Sequence, residues 1–309
     1  MQIYLPIAEM SVSLFFLIGM GGLVGFLSGL FGVGGGFLLT PLLIFTGIPA
    51  PVAVASVTGT VVAASTSGAL SYYRSRGIDF HLALYLVFSG VIGAFLGVST
   101  FSALRGAGQL DLVISFGYLL FLGSIGILLV WEAVGALLKS ARGKPRPQKL
   151  PGKHNWIHGL PLRIRFKRSN LYVSVLPVLV IGLVIGFLGS LLGIGGGFIL
   201  VPALVYLLRV PGKVVIGTSL LQVLAIMAAT TILHALNSPS VDIILAFSLM
   251  VGGVIGAQFG ASIGQKLRGE QTRALLGLIV LLVAIRFAYS LLATPTDPFS
   301  IAILSGGVA

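Results

Sequence analysis

Two glycine runs are the residues whose type and spacing could do chemistry in this sequence. The stretch "GVGGGFLLTP" begins at Gly32, and "GIGGGFILVP" begins at Gly193. Consecutive glycines accept positive φ and let other groups approach the main chain, so several N–H groups can point at one spot. Short helices beginning at Phe37 and Phe198 would add the partial positive charge of their N-termini. The runs therefore predict an anion-binding site to which each contributes.

Other glycines have a spacing that favours close packing of helices and needs no ligand. These small-xxx-small patterns comprise Gly21, Gly25 and Gly29, Gly93 with Gly97, and Gly256 with Gly260. Packing is also the alternative interpretation of the triple runs. Neither run is a nucleotide-binding loop, because no Gly-Lys-Ser/Thr follows it and no strand precedes it.

Several polar residues inside apolar segments could assist an anion site. Arg286, in "LLVAIRFAYSLL", needs water, a carboxylate or an anionic ligand, unless it extends to the outer surface. Thr218, Ser219 and Gln222 share one segment, and Ser56 lies opposite them in an earlier one, although such hydroxyls often bond only their own backbone. The predicted substrate-binding residues are Gly34, Gly35, Gly36, Gly195, Gly196, Gly197, Ser56, Thr218, Ser219, Gln222 and Arg286.

No carboxylate falls at the middle of an apolar segment. Asp79 and Asp242 each precede a segment by two or three residues, where a helix N-cap belongs. A sodium- or proton-driven cation exchanger normally needs a carboxylate at mid-membrane, so the pattern favours an anion as substrate. His234 could carry protons, but a lone histidine near the end of a segment more often faces water.

The composition excludes a soluble globule. Hydrophobic residues make up 57% of the chain and charged residues 8%, against roughly a quarter charged in soluble domains. An all-α polytopic membrane protein is predicted, because several apolar stretches approach the roughly 20 residues that span a bilayer. The N-terminus lacks the pattern of a removable signal peptide. With no cysteine and no nucleophile–base–orienter set, we predict no enzymatic activity, no metal site and no cofactor.

The net charge of +12 is concentrated in one segment. Ten of the 19 basic residues lie between Lys139 and Arg168, where there is no Asp or Glu. This pattern is typical of a cytoplasmic loop beside anionic lipid, and no recognition motif supports nucleic-acid binding. We therefore predict a basic cytoplasmic linker over residues 139–170. The predicted partners are a small anion and the lipid bilayer, and the oligomeric state is left open.

The sequence is duplicated at an offset of 161–163 residues, which predicts a first transmembrane repeat (1–138) and a second (171–309) around the linker. Pro41 aligns with Pro202, and Asp79 with Asp242. The second segment of each repeat, about a dozen residues, is too short to cross about 30 Å of hydrocarbon. The predicted segments are 12–31, 37–48, 52–73, 81–103, 111–138, 171–192, 198–209, 214–236, 242–265 and 273–293.

Basic residues outside the linker predict opposite orientations for the two repeats. If basic loops are cytoplasmic, Arg74 marks one loop of the first repeat, whereas Lys213 and Lys266 mark different loops of the second. An odd number of segments per repeat has the same consequence, and both termini then face the periplasm. Arg105 is the one residue that disagrees. Inverted repeats with broken helices at the midplane indicate a secondary transporter.

The paired motifs resemble a known family. "GLFGVGGGFLLTP" and "SLLGIGGGFILVP", with "VIGTSL" and with "GVIGAFLG" or "GVIGAQFG" further along, are similar to the sulfite exporter TauE/SafE family of bacterial membrane permeases. The resemblance implies export of a sulfur-containing anion, such as sulfite, a sulfonate or thiosulfate, across the inner membrane. In the first repeat "AVASVTG" stands in place of "VIGTSLL", so a role of Thr218 need not be shared by Ser56. The alternatives are transport of another small organic anion and a non-transporting scaffold that acts through the linker.

Overall fold

The computed structural model describes residues 2–31, 33–74, 77–141, 163–166, 171–208, 210, 212–237, 240–264 and 269–292. This part of the chain contains ten helices, as predicted. The first five are α1 (Leu14–Phe31), α2 (Gly36–Phe45), α3 (Ala50–Arg74), α4 (Phe80–Gly106) and α5 (Leu110–Ala141). The other five are α6 (Val175–Leu192), α7 (Gly197–Tyr206), α8 (Gly212–Asn237), α9 (Ile243–Gly264) and α10 (Gly269–Leu292).

Eight of these helices are long and apolar enough to cross a membrane. The other two, α2 and α7, have ten residues each and are therefore only about 15 Å long. The prediction of an all-α polytopic membrane protein is confirmed, including the two short segments.

A β-hairpin precedes the first helix of each half, and the sequence predicts neither. Strands β1 (Gln2–Leu5) and β2 (Met10–Ser13) pair antiparallel, as do β3 (Arg163–Phe166) and β4 (Leu171–Ser174). The predicted starts of the first and sixth segments, residues 12 and 171, are therefore wrong, because these residues belong to strands. Four-residue strands give too short a pattern to separate from the adjoining apolar helix.

The predicted linker, 139–170, lies mostly outside the described residues. Helix α5 continues to Ala141, and Arg163–Phe166 forms strand β3, so the residues of the predicted linker that the structure describes belong to regular elements. The division of the chain at residues 138 and 171 stays a prediction.

Each of the eight long helices packs mainly against a helix of the other half, whereas α2 packs mainly against α3 and α7 against α8. Helix α1 lies against α9, α4 against α6, α5 against α10, and α3 against α8. In α1–α9 and α4–α6 the main chains touch, since a Cβ atom on the glycines at the contact would collide with the partner backbone. The glycines concerned are Gly21, Gly25, Gly29, Gly93, Gly97, Gly256 and Gly260. Their predicted packing role is confirmed.

The central helices α3 and α8 run in opposite directions. Thr231, near the end of α8, has its Oγ1 2.9 Å from Oγ1 of Thr58, near the start of α3. Leu220, near the start of α8, contacts Gly68, near the end of α3. By contrast α1 and α9 run the same way, because Gly21 lies against Leu249 and Gly29 against Ala257.

Asp79 and Asp242 cap α4 and α9, as predicted. Asp79 Oδ1 accepts a hydrogen bond from the Leu82 N–H at 3.3 Å, and Asp242 Oδ1 accepts one from the Leu245 N–H at 3.1 Å. Asp242 Oδ2 also accepts from the Ile7 N–H at 3.0 Å. The second carboxylate therefore fixes the N-terminal hairpin to the start of α9.

The α4–α6 contact makes Gly186→Ala strongly destabilising. A Cβ atom there would lie 2.7 Å from the Gly90 carbonyl carbon, which moves only with its helix, and such overpacking costs about 1–3 kcal/mol. The unfolding temperature in detergent should fall. Gly59→Ala in α3 is the control, because no atom lies within 4 Å of its Cβ position and alanine favours a helix. Equal stability of the two variants would contradict the close contact.

Candidate functional site

Both glycine runs interrupt a helix, and we call Val33–Gly36 the first turn and Gly193–Gly197 the second turn. The first joins α1 to α2, and the second joins α6 to α7. Left-handed backbone, with φ from 68° to 92°, occurs at Gly34, Gly35, Gly193, Gly195 and Gly196. Residues with side chains rarely adopt this conformation, so glycine is required at these positions.

The two turns lie against each other. A Cβ atom on Gly36 would be 2.5 Å from the carbonyl oxygen of Gly193, and one on Gly197 would collide with the carbonyl oxygen of Val33. The rings of Phe37 and Phe198, at the starts of the two short helices, are stacked 5.0 Å apart and 7° from parallel. The sequence repeats therefore meet through their broken helices.

The turns are buried at mid-height of the central helix pair. All described residues of both turns are buried. A Cβ atom on Gly34 would lie 3.1 Å from Val223, and one on Gly195 would lie 3.0 Å from Val61. These valines occupy the middle of α8 and α3, so the turns lie about midway between the two ends of this helix pair.

Both turns offer main-chain donors that have no acceptor among the described residues. No hydrogen bond to a described residue is donated by the N–H groups of Gly34, Gly35 and Phe37 at the first turn or by those of Gly195, Gly196 and Phe198 at the second. The N-cap residues of α2 and α7, Gly35 and Gly196, likewise have no side-chain hydrogen bond. Free N–H groups and the positive end of a helix together favour an anion.

Three of the predicted hydroxyl groups have main-chain partners away from the turns. Ser56 Oγ accepts from the Asp242 N–H at 2.9 Å, and Thr218 Oγ1 accepts from the Asp79 N–H at 3.1 Å. Ser219 Oγ donates to the Ile216 carbonyl at 2.9 Å within its own helix. The first two bonds are reciprocal and tie the capping loop of one half to the central helix of the other.

Gln222 is buried with no partner for either amide atom. Its side chain has 0% exposure, and neither Nε2 nor Oε1 has a hydrogen bond in the described part of the chain. Leaving a buried polar group unpaired costs about 1–3 kcal/mol. Ser65 Oγ is likewise buried and unpaired, and it lies 3.6 Å from the Cβ position of Gly34. Polar groups kept at this cost in a membrane point to a functional site.

The structure does not bring Arg286 to the turns. Its side chain is exposed, and its guanidinium carbon lies 5.1 Å from the ring centroid of Phe45 and 5.7 Å from that of Tyr289. Phe45 ends α2, about 15 Å along the helix from Gly36. A direct role of Arg286 in binding stays a prediction.

Three side chains that the sequence does not single out for this region hold the end of α6. Tyr118 donates its hydroxyl to the Leu192 carbonyl at 2.7 Å, and Thr40 Oγ1 donates to the Gly193 carbonyl at 3.4 Å. His234 Nε2 lies 3.3 Å from the Ser190 carbonyl. The expectation that His234 faces water is wrong, because its exposure is 0%. The signal in the sequence that could have identified these side chains is a polar group inside an apolar segment.

Comparison with known proteins identifies the family. The family model for the sulfite exporter TauE/SafE matches residues 17–287. The chain belongs to the sulfite exporter TauE/SafE family. This confirms the family resemblance of the duplicated glycine motifs and gives the chain the family's membrane-transporter assignment.

Curated relatives in this family are named as membrane transporters. A "Probable membrane transporter protein" of Xylella fastidiosa (strain Temecula1) is 31% identical over 277 residues, covering 88% of this chain and 94% of the relative. YjnA of Bacillus subtilis, with the same description, is 29% identical and covers 90% and 99%. "Sulfite exporter TauE/SafE family protein 3" of Arabidopsis thaliana is 32% identical over only 35% of this chain and 24% of its own length. No solved structure matches the chain.

Gln222→Leu should raise the thermal stability of the TauE/SafE protein. The substitution keeps the side-chain size close to that of glutamine and removes two unpaired buried polar atoms, a gain of about 1–3 kcal/mol. Thr60→Val is the matched control in the other half, because the Thr60 hydroxyl donates to the Ala246 carbonyl at 3.3 Å. It should lower the unfolding temperature. If Gln222→Leu also lowers it, the amide serves the fold rather than a ligand.

Proposed function

We propose that the protein is a secondary transporter that moves a small sulfur-containing anion outward across the bacterial inner membrane by alternating access. The family description names sulfite, and a sulfonate and thiosulfate are the other candidate substrates that the sequence resemblance implies. The linker and the basic loops then face the cytoplasm, and the termini face the periplasm.

The meeting of the two turns is the observation that carries this proposal. Unwound main chain from both halves lies buried at mid-height of α3 and α8, against Val61 and Val223, and Gln222, which precedes Val223, has an unpaired buried amide. Binding at the midplane through broken helices is the arrangement of known secondary transporters. The free N–H groups favour an oxyanion over a cation. Arg286 would then act on the anion at the outer approach rather than at the turns.

The directions of the helices support an inverted repeat. The starts of α3 and α8, which correspond in the two repeats, lie at opposite ends of the pair they form. Helix α9 runs with α1, although it is the fourth helix of its own repeat and α1 is the first. Such a relation allows one conformation to open inward and its counterpart to open outward.

The moving bodies in this mechanism are not the sequence halves. Backbone contact joins α9 to α1 and α4 to α6 so closely that neither pair can slide without a clash. One body therefore comprises α1, α2, α3 and α9, and the other comprises α6, α7, α8 and α4. The interface between them comprises the α3–α8 contact and the contact of the two turns, where the main chains meet.

Gly196→Ala should weaken anion binding and stop flux. Its φ of +72° strains any side chain, and the new Cβ atom would lie 2.5 Å from Ile185 Cγ2, so the donors of the second turn are displaced. We expect at least about tenfold weaker sulfite binding, measured by thermal shift, and loss of efflux from proteoliposomes. Gly108→Ala, also at positive φ but with no neighbour within 4 Å, should bind normally. Unchanged binding by a monodisperse Gly196→Ala protein would contradict the site.

A cross-link between α3 and α8 should stop transport. The chain has no cysteine, and Oγ1 of Thr58 lies 2.9 Å from Oγ1 of Thr231. Because these side chains meet, a Thr58→Cys/Thr231→Cys pair is the place to introduce a disulfide between the two helices. Oxidation should abolish flux in proteoliposomes, and reduction should restore it. Each single cysteine variant under oxidant is the control. Full flux with the disulfide formed would contradict motion across this interface.

A further inference from the structure

The two turns are held differently. Three donors from three helices, Thr40 of α2, Tyr118 of α5 and His234 of α8, pair with carbonyl groups at the end of α6. The residue that corresponds to Thr40 is Val201, and the position that corresponds to Tyr118 is Val280 or Leu281, depending on the offset. None of these aliphatic residues can donate a hydrogen bond to the end of α1. His234 corresponds to Tyr72, which also carries a polar group, so the contrast lies in the other two donors.

Tyr118 itself is fixed in place by its neighbours. Its side chain has 0% exposure, and its ring stacks on that of Phe287 with centroids 5.3 Å apart and planes 11° from parallel. Its 2.7 Å bond to the Leu192 carbonyl joins α5 of the first half to the last turn before Gly193. The hydroxyl therefore limits where the second turn can begin.

A small cavity lies beside the first turn. Its volume is about 10 Å³, room for about one water, and it lies against Gly34 and Gly35 and is lined by Ser28, Thr60 and Ala64. The corresponding residues of the second half are larger, with Gln222 in place of Thr60 and Ile226 in place of Ala64. The amide of Gln222 is buried and unpaired.

We infer that the anion is bound by the second turn, with Tyr118 as a positioning residue that acts through it. This assignment rests on the proposed function and names the half that holds the ligand. Donors that are already fixed pay little ordering entropy when they bind, so the turn held by three side chains is the better site. Its ligands are the N–H groups of Gly195, Gly196 and Phe198 and the amide of Gln222, which suit a small oxyanion. The first turn, with a cavity beside it, is the turn that can change conformation.

The test measures affinity for sulfite and methanesulfonate by calorimetry on the purified full-length protein. Tyr118→Phe should weaken binding about tenfold, the factor that one lost hydrogen bond produces. In the Gly196→Ala background it should weaken binding no further, because both changes act on one turn. Gln222→Leu should weaken binding far more than Thr60→Val does.

The outcomes separate the two levels of the proposal. If the wild-type protein binds neither anion, the proposed function fails and this assignment fails with it. If it binds them but Thr60→Val matches Gln222→Leu, or the effects of Tyr118→Phe and Gly196→Ala add, the site is shared by both turns and only this inference is overturned. Should Tyr118→Phe not fold, the Gln222 and Thr60 variants still decide between one turn and two.

Discussion

Main-chain polar groups cannot face hydrocarbon unpaired, and the two broken helices depend on that constraint. Each turn leaves N–H and C=O groups that its own repeat does not cover. The other repeat encloses them, and at the second turn it also supplies donors: Thr40 and Tyr118 of the first half donate to the Gly193 and Leu192 carbonyl groups. Gly36 and Gly197 let the two main chains lie directly against each other. A single repeat would expose its turn to lipid, so the repeats must fold around one another.

Helix α4 of the first half packs against α6 of the second, and α9 of the second half packs against α1 of the first. This arrangement follows from the same constraint. A helix break at mid-membrane has to be enclosed, and a helix of the other repeat lying against α1 or α6 encloses it. Glycine faces allow the approach, because main chains in contact gain van der Waals energy that apolar side chains in lipid would not add. The cost is that α1–α9 and α4–α6 become rigid pairs. Motion is left to the α3–α8 interface, where Thr58 and Thr231 meet through exchangeable hydrogen bonds.

Most of the fold could be predicted from the sequence, because its signals are local. The lengths of the apolar segments predict the ten helices, and the spacing of the glycines predicts the faces on which helices pack. Asp79 and Asp242 are predicted as helix caps because each comes just before an apolar segment. The glycine turns could be predicted, but not their contact, which depends on how the halves pack. Tyr118 was missed because its partner lies 74 residues away in the chain and leaves no periodic signal. The hairpins were missed because four-residue strands are shorter than the windows in which strand and helix periods differ.

The places where the halves have diverged bear on how binding couples to conformation. If the repeats were identical, the inward-open and outward-open states would have equal internal energy, since exchanging the repeats converts one into the other. Unmatched pairs such as Thr60 with Gln222 and Ser65 with Met227 remove that equality. An unpaired amide costing about 1–3 kcal/mol shifts a two-state ratio by about 5- to 150-fold. A ligand that pairs with Gln222 recovers the cost of the unpaired amide only in the conformation in which the amide reaches the ligand. The ligand therefore binds the two conformations with different affinity, and this difference shifts the equilibrium between them. In the proposed transport mechanism, the glutamine would therefore link occupancy of the second turn to the choice between the two states.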